Sequence, residues 1–203
     1  MKLVIMTKPT FFVEEDKILS ALFDEGLESL HLKKTGSSPL FSERLLSLLP
    51  DYTHSKITVH DHFYLKNEYH LAAIHLEDPS MGLPLGYKGK VGIDCKDLTQ
   101  LRALKKQANY VFLKNVFDST TMPSEKASFS LNELRQASRM GLIDKKVYAI
   151  GGMCAENIEI ARELGFGGVV VSGDIWNRFD IHSEIDYKHI ISHFIRLRKA
   201  VDG

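Results

Sequence analysis

The sequence predicts a closed (β/α)8 barrel, one domain over residues 1–203. Three observations carry this expectation. Short apolar runs alternate with amphipathic stretches along the chain, the pattern of strands and helices in βαβ order. Eight such runs can be read, the strand count of that barrel. The stretch after the first run, Thr7-Lys8-Pro9-Thr10, lacks the glycine fingerprint that an open doubly wound sheet normally carries there. At 203 residues the chain is near the lower end of the barrel's usual ~200 to 400, so its loops are expected to be tight.

The elements follow in order. Leu3 to Met6 is the first strand, and Glu15 to Phe23 places Ile18, Leu19, Leu22 and Phe23 on one helical face, ended by Gly26. Leu27 to Leu32 is the second strand, and Ser42 to Leu49 is a helix stopped by Pro50. Lys56 to Val59 is the third strand, with β-branched residues, and His62 to Tyr69 a short helix. Ala72 to Leu76 and Lys90 to Ile93 are the fourth and fifth strands. A helix from Leu98 to Gln107 follows, with Asp97 as its cap. Tyr110 to Leu113 is the sixth strand, and Leu131 to Met140 a helix ended by Gly141. Val147 to Ile150 is the seventh strand, and Ala155 to Leu164 a helix ended by Gly165. Val169 to Val171 is the eighth strand, and Tyr187 to Val201 the closing helix.

Composition narrows the function. Lys plus Arg and Asp plus Glu each number 26, for a formal net charge of zero. That argues against a nucleic-acid binder held by bulk positive charge, so any bound anion needs a local site. Cys95 and Cys154 are too few for a disulfide framework and form no CxxC pair. The first residues lack the features of a signal peptide, and no run approaches the ~20 apolar residues of a membrane span. A cytoplasmic protein without membrane or nucleic-acid partners is expected.

In such a barrel, chemistry collects at the C-terminal ends of the strands. The candidates there are Thr7 and Lys8; His31, Lys33 and Lys34; His60-Asp61-His62; His75, Glu77 and Asp78; Asp94; Lys114-Asn115 with Ser119-Thr120-Thr121; Gly151-Gly152; and Ser172-Gly173-Asp174. The glycine loops after strands seven and eight suit a phosphate, because glycine lets backbone N–H groups approach an anion. The plainer reading is that these glycines only make tight turns. Asp61, Glu77, Asp78 and Asp94, from three neighbouring strand ends, suit Mg²⁺ shared with a diphosphate. Capping and turn formation are the alternative for Asp61 and Asp78. No HExxH or third fixed ligand appears, so the histidines read as solvated or hydrogen-bonding groups rather than transition-metal ligands.

The run Val147-Tyr148-Ala149-Ile150-Gly151-Gly152-Met153, with Asn157, Gly165 and Gly168-Val169-Val170-Val171-Ser172-Gly173, resembles the C-terminal third of the thiamine phosphate synthase family, which includes related thiazole tautomerases. Weaker likeness extends over nearly the whole chain, in Leu30 to Lys34, Thr58 to Asp61, Ile74 to Asp78, Gly92 to Asp94 and Tyr110 to Leu113. The resemblance implies a transferase of thiamine biosynthesis that joins hydroxymethylpyrimidine diphosphate to thiazole phosphate and releases diphosphate. It implies Mg²⁺ as cofactor and small phosphorylated heterocycles as partners. Barrels of this kind often pair through exposed helices, so a homodimer is compatible with the sequence.

Carried over by position, the resemblance implies catalytic roles for His31, Lys33, Lys34 and His60, and metal binding by Asp61 and Asp78. It implies substrate contacts from Asp94, Ser119, Thr121, Gly151, Gly152, Ser172 and Gly173. Several positions depart from the family pattern. His31 replaces Gln, Lys33 replaces Arg, Thr35 replaces Lys, His60 replaces Asn, Asp94 replaces Ser and Met122 replaces Lys. Asn115 stands where the tautomerases have their histidine, and it cannot serve as an acid or base near neutral pH. The alternatives are a metal-free tautomerase-like isomerase with a relocated base, and a catalytically weak thiazole-phosphate binding protein.

Overall fold

The computed structural model describes residues 1–119, 124–178, 180 and 184–203, with only the backbone of 184–186. Eight parallel strands close in sequence order: β1 (Lys2–Met6), β2 (Leu30–Leu32), β3 (Ile57–Val59), β4 (Ala73–Leu76), β5 (Lys90–Cys95), β6 (Tyr110–Leu113), β7 (Val147–Ile150) and β8 (Gly168–Val171). β8 returns to pair with β1, Val170 opposite Val4, so the sheet has no open edge. The (β/α)8 barrel expected from the sequence is the observed fold. Every strand is parallel, so every strand's C-terminal end lies on one rim.

Strand alternation divides the apolar residues between two layers. Leu3, Ile5, Leu30, Leu32, Ile57, Val59, Ile74 and Leu76 belong to the large cluster between sheet and helices. Val4, Met6, Phe112, Tyr148 and Val170 form a second cluster inside the barrel, with Tyr110 and Ile150 against it. The same period of two turns His31, Lys33, His60, His75, Glu77, Asp94 and Lys114 inward. Half of the barrel's inner wall is therefore polar or charged.

The outer helices are α1 (Glu15–Asp24), α2 (Pro39–Leu48), α3 (Asp51–His54), α4 (Leu65–Glu68), α5 (Leu101–Gln107), α6 (Leu131–Arg139), α7 (Ile158–Glu163), α8 (Gly173–Trp176) and α9 (Glu184–Asp202). The longer helices bury an apolar stripe, Ile18, Leu19, Leu22 and Phe23 in α1 as the periodicity predicts, whereas the single turns α3 and α4 bury only Thr53 and Leu65. Asp97 accepts the Thr99 N–H at 2.8 Å, the expected cap, although the first turn it starts is a 3-10 turn, Leu98–Gln100. Ser130 and Glu133 form a reciprocal capping box at the start of α6.

Several boundaries differ from expectation. α2 begins at Pro39, because proline is tolerated in a helix's first turn. Leu27 is buried but precedes β2, which starts at Leu30. The expected helix over His62 to Tyr69 shrinks to α4, since His62 takes a left-handed φ of 52°. The expected helix over Ala155 to Leu164 opens as a 3-10 turn, Ala155–Asn157.

Candidate active site

The inward residues of β2 to β6 form two connected polar arms at the barrel mouth. In the first, the Lys33 ammonium donates to Glu77 Oε1 at 2.7 Å. The same oxygen lies 3.2 Å from His60 Nδ1. Below them, His60 Nε2 meets His31 Nδ1 at 2.8 Å, and His31 Nε2 lies 3.4 Å from the Tyr110 hydroxyl. In the second arm, His75 Nε2 lies 2.9 Å from Asp94 Oδ1, and the Lys114 ammonium donates to Asp94 Oδ2 at 3.0 Å. The His60 and His75 rings stack at 4.4 Å and join the arms.

Exposure grades along the axis. The side chains of Lys33, Glu77 and Lys114 are 23%, 33% and 25% exposed, so they face solvent at the mouth. His31, His60, His75 and Asp94 are buried. Burial holds the His31 and His60 imidazoles well below the usual histidine range, and the neighbouring histidines add to that push. Burial also lowers His75, against the raising effect of Asp94. Burial pushes the Asp94 carboxyl up, but the His75 hydrogen bond and the Lys114 ammonium outweigh it, leaving Asp94 below its ordinary value. Burial thus favours neutral His31, His60 and His75 imidazoles beside an ionised Asp94 carboxylate.

Lys34 takes the opposite direction from Lys33. Its ammonium is buried outside the barrel, 2.6 Å from Glu15 Oε1 and 3.0 Å from Thr10 O, with the Phe11 ring at 4.4 Å. Burial lowers Lys34 and raises Glu15, each partly offset by the other. Lys34 thus ties the β1–α1 loop to β2, and the mouth receives only Lys33 of the pair. The Thr7 hydroxyl fixes Lys33 by donating to its carbonyl at 3.1 Å and accepting its N–H at 3.0 Å.

The two expected metal carboxylates also separate. Asp61 stands at the rim, one oxygen accepting the Lys34 N–H at 3.3 Å. Asp78 is exposed and accepts the Ser80 N–H at 2.8 Å, capping the turn Pro79–Met81. Hydrogen bonding to Ser80 holds its carboxyl below the usual value. Capping, the alternative sequence reading, is what the Asp78 geometry shows, while its neighbour Glu77 points into the mouth.

Gly151, Gly152, Ser172 and Gly173 lie on the same rim as Asp61. Gly152 has a φ of 63°, and a Cβ there would lie 2.1 Å from Asp118 O. Gly151 has a φ of 102°, and a Cβ would lie 2.7 Å from Asn115 Cα. Both glycines thus allow the loop after β7 to lie against the loop after β6, where Asn115 takes a left-handed φ of 54°. Asn157 braces the β7 loop by donating to Gly152 O at 2.8 Å and accepting the Cys154 N–H at 3.0 Å. Ser172 and Gly173 open α8. The Ser119 N–H donates to Glu125 O at 2.9 Å. Thr121 lies outside the described residues.

A family model described as thiamine monophosphate synthase matches residues 11–175. The chain belongs to the thiamine monophosphate synthase family. A crystal structure of thiamine phosphate pyrophosphorylase from Bacteroides thetaiotaomicron is 42% identical, with a TM-score of 0.90, over 100% of this chain and 98% of the other. The Pyrococcus furiosus thiamine phosphate pyrophosphorylase is 18% identical, TM-score 0.75, over 99% and 95% of the two chains. A 3-hexulose-6-phosphate synthase, 16% identical with a TM-score of 0.65 over 99% and 100%, shares the fold alone. No match was found among curated protein sequences. Among the described residues, no helix of this synthase-family chain is long and apolar enough to cross a membrane.

The sequence marks Glu77 only as one of the carboxylates suited to Mg²⁺, and gives His75 and Lys114 no role beyond their place at strand ends. Strand alternation held the signal. His31 and Lys33 are two apart and share a face, as do His75 and Glu77. The link from His75 through Asp94 to Lys114 spans three strands, and only the register reveals it.

Proposed function

We propose that the chain is a diphosphate-releasing transferase of thiamine biosynthesis, joining hydroxymethylpyrimidine diphosphate to thiazole phosphate. The observation that supports this best is the pair of ammoniums, Lys33 and Lys114, each held at the mouth by a carboxylate on the same rim as Asp61. Family membership and the 42% identity to a thiamine phosphate pyrophosphorylase point the same way.

In this reading the bond between the pyrimidine methylene and the diphosphate oxygen breaks, and its electron pair leaves with the diphosphate. The thiazole nitrogen then donates its lone pair to the methylene, and the positive charge passes to the thiazolium ring. No proton transfer is needed. Positioning and electrostatics carry the reaction. Lys33 and Lys114 face the departing charge as point charges on flexible stems. Glu77 and Asp94 orient them, and His60 and His75 hold those carboxylates from beneath. The loops with Gly151, Gly152, Ser172 and Gly173 anchor the thiazole phosphate across the mouth, with Ser119 and Thr121 as further contacts.

Asp61 fits Mg²⁺. One of its oxygens carries the Lys34 N–H, and the other has no hydrogen bond among the described residues, leaving it for a hard cation that also takes phosphate oxygens. When bound, Mg²⁺ would supply positive charge to the leaving diphosphate. Asp78, turned to Ser80, is the weaker donor.

The His60–Glu77 contact favours a second reading, a metal-free isomerase acting on thiazole phosphate, because a carboxylate-oriented imidazole can move a proton. Two variants separate the readings. A transferase loses diphosphate release in Asp61→Ala and keeps it in Asn115→Ala. Isomerisation of thiazole phosphate alone, without Mg²⁺ and abolished by Glu77→Gln, overturns the transferase reading.

A further inference from the structure

Below the mouth, His31, His60 and His75 come together from β2, β3 and β4, at 2%, 4% and 0% exposure. One ring nitrogen from each lies within 4.8 Å of the other two. The partners at the outer ends of these rings assign their tautomers. His60 gives its Nδ1–H to Glu77, so its Nε2 carries a lone pair. His75 gives its Nε2–H to Asp94, so its Nδ1 carries one, and that nitrogen is buried with no hydrogen-bond partner. His31 bridges, donating Nδ1–H to His60 Nε2 and accepting from the Tyr110 hydroxyl.

His75 already matches a metal-binding histidine, with one nitrogen free and the other fixed by a carboxylate, and His60 matches it once His31 turns its proton away. We propose that the three histidines bind one divalent transition-metal ion of the zinc class inside the barrel, apart from any Mg²⁺ at Asp61. Imidazole suits such ions, whereas Mg²⁺ favours oxygen ligands. Binding needs no net proton release. His31 shifts its proton from Nδ1 to Nε2, which then donates to the Tyr110 oxygen.

The geometry states what must move. The 2.8 Å between His31 Nδ1 and His60 Nε2 must open to about 3.3 Å, the spacing of two nitrogens at ordinary zinc distances in a tetrahedral site. The stacked His60 and His75 rings, 21° from parallel, must tilt apart. Their χ2 torsions are soft enough to allow it. Access and a water ligand come from a polar cavity of about 320 Å³ at the N-terminal end of the barrel, lined by His31, Thr58, Tyr110 and Tyr148 among others. The ion would fix the floor beneath both ion-paired arms of the mouth.

The test is a Co²⁺ titration of metal-stripped protein, read by absorption, together with a crystal soaked in Zn²⁺ and measured at the zinc edge. One Co²⁺ per chain is expected, with the bands of a four- or five-coordinate nitrogen site. Zn²⁺ should displace it, excess Mg²⁺ should not, and His75→Gln should abolish it. The anomalous peak should fall among the three rings. Equal Co²⁺ binding by wild type and a folded His75→Gln, no binding at all, or a peak only elsewhere, as at His189 or His193, overturns the proposal. Should His75→Gln fail to fold, the wild-type anomalous map decides alone.

Discussion

Glu77 holds the Lys33 ammonium at 2.7 Å across the barrel mouth, using the same carboxylate oxygen that meets His60 at 3.2 Å. A cation needed for charge leaving the site is thereby kept in place by a residue anchored to the barrel floor. Lys33→Ala should lower kcat/KM for diphosphate release by about 10²- to 10³-fold, the usual cost of removing one preorganised charge donor. Steady-state kinetics of diphosphate release measure it, and a change under threefold would place the leaving group elsewhere.

The adjacent Lys34 should behave as a structural residue. Lys34→Met leaves the Glu15 carboxylate buried without its partner and should destabilise the fold by about 3–5 kcal/mol. The double change with Glu15→Leu should recover much of that loss, because an apolar pair replaces a costly ionic one. Urea unfolding of the two variants checks this. Equal losses in both would show that the ion pair is not what holds the β1–α1 loop.

Gly152→Ala should cost far more than Gly36→Ala. Both positions have positive φ, 63° and 76°, but an added Cβ meets Asp118 O only at Gly152 and nothing within 4 Å at Gly36. The difference isolates close packing of the β6 and β7 loops from backbone strain. It is expected in melting temperature and in affinity for thiazole phosphate, and equal melting temperatures would contradict it.

Stability should fall on mild acidification. His31 and His60 lie well below 6.5 when folded, chiefly through burial, and return to about that value when unfolded. Below pH 6.5 the unfolded chain therefore binds more protons, so stability is full above that pH and is lost as pH drops. Each group contributes a slope approaching about 1.4 kcal/mol per pH unit. Denaturation of metal-stripped protein between pH 7.5 and 5 measures the slope before most carboxylates titrate, and a flat profile would show that these histidines are not held neutral.

The barrel was legible because each of its strands is a short apolar run between turn signals, and their order alone implies parallel pairing. Short or irregular elements were not. α8 has only four residues after Ser172, too few for a helical period, and α3 was hidden behind Pro50. At the site, strand ends could be named but not aimed. Lys33 and Lys34 look equivalent in sequence, yet one-residue alternation sends the first into the mouth and the second to Glu15. The same rule, applied from His31, would have chosen between them. Asp78 and Glu77 differ likewise. The three-histidine cluster draws one residue from each of three strands, so no local spacing announces it.

The most direct test of the transferase reading is product stoichiometry with purified protein, hydroxymethylpyrimidine diphosphate, thiazole phosphate and Mg²⁺. One diphosphate should be released for each thiamine phosphate formed, and neither product should appear when either substrate or Mg²⁺ is omitted. Thiazole phosphate that binds and is never joined to the pyrimidine, under any of these conditions, would contradict that reading.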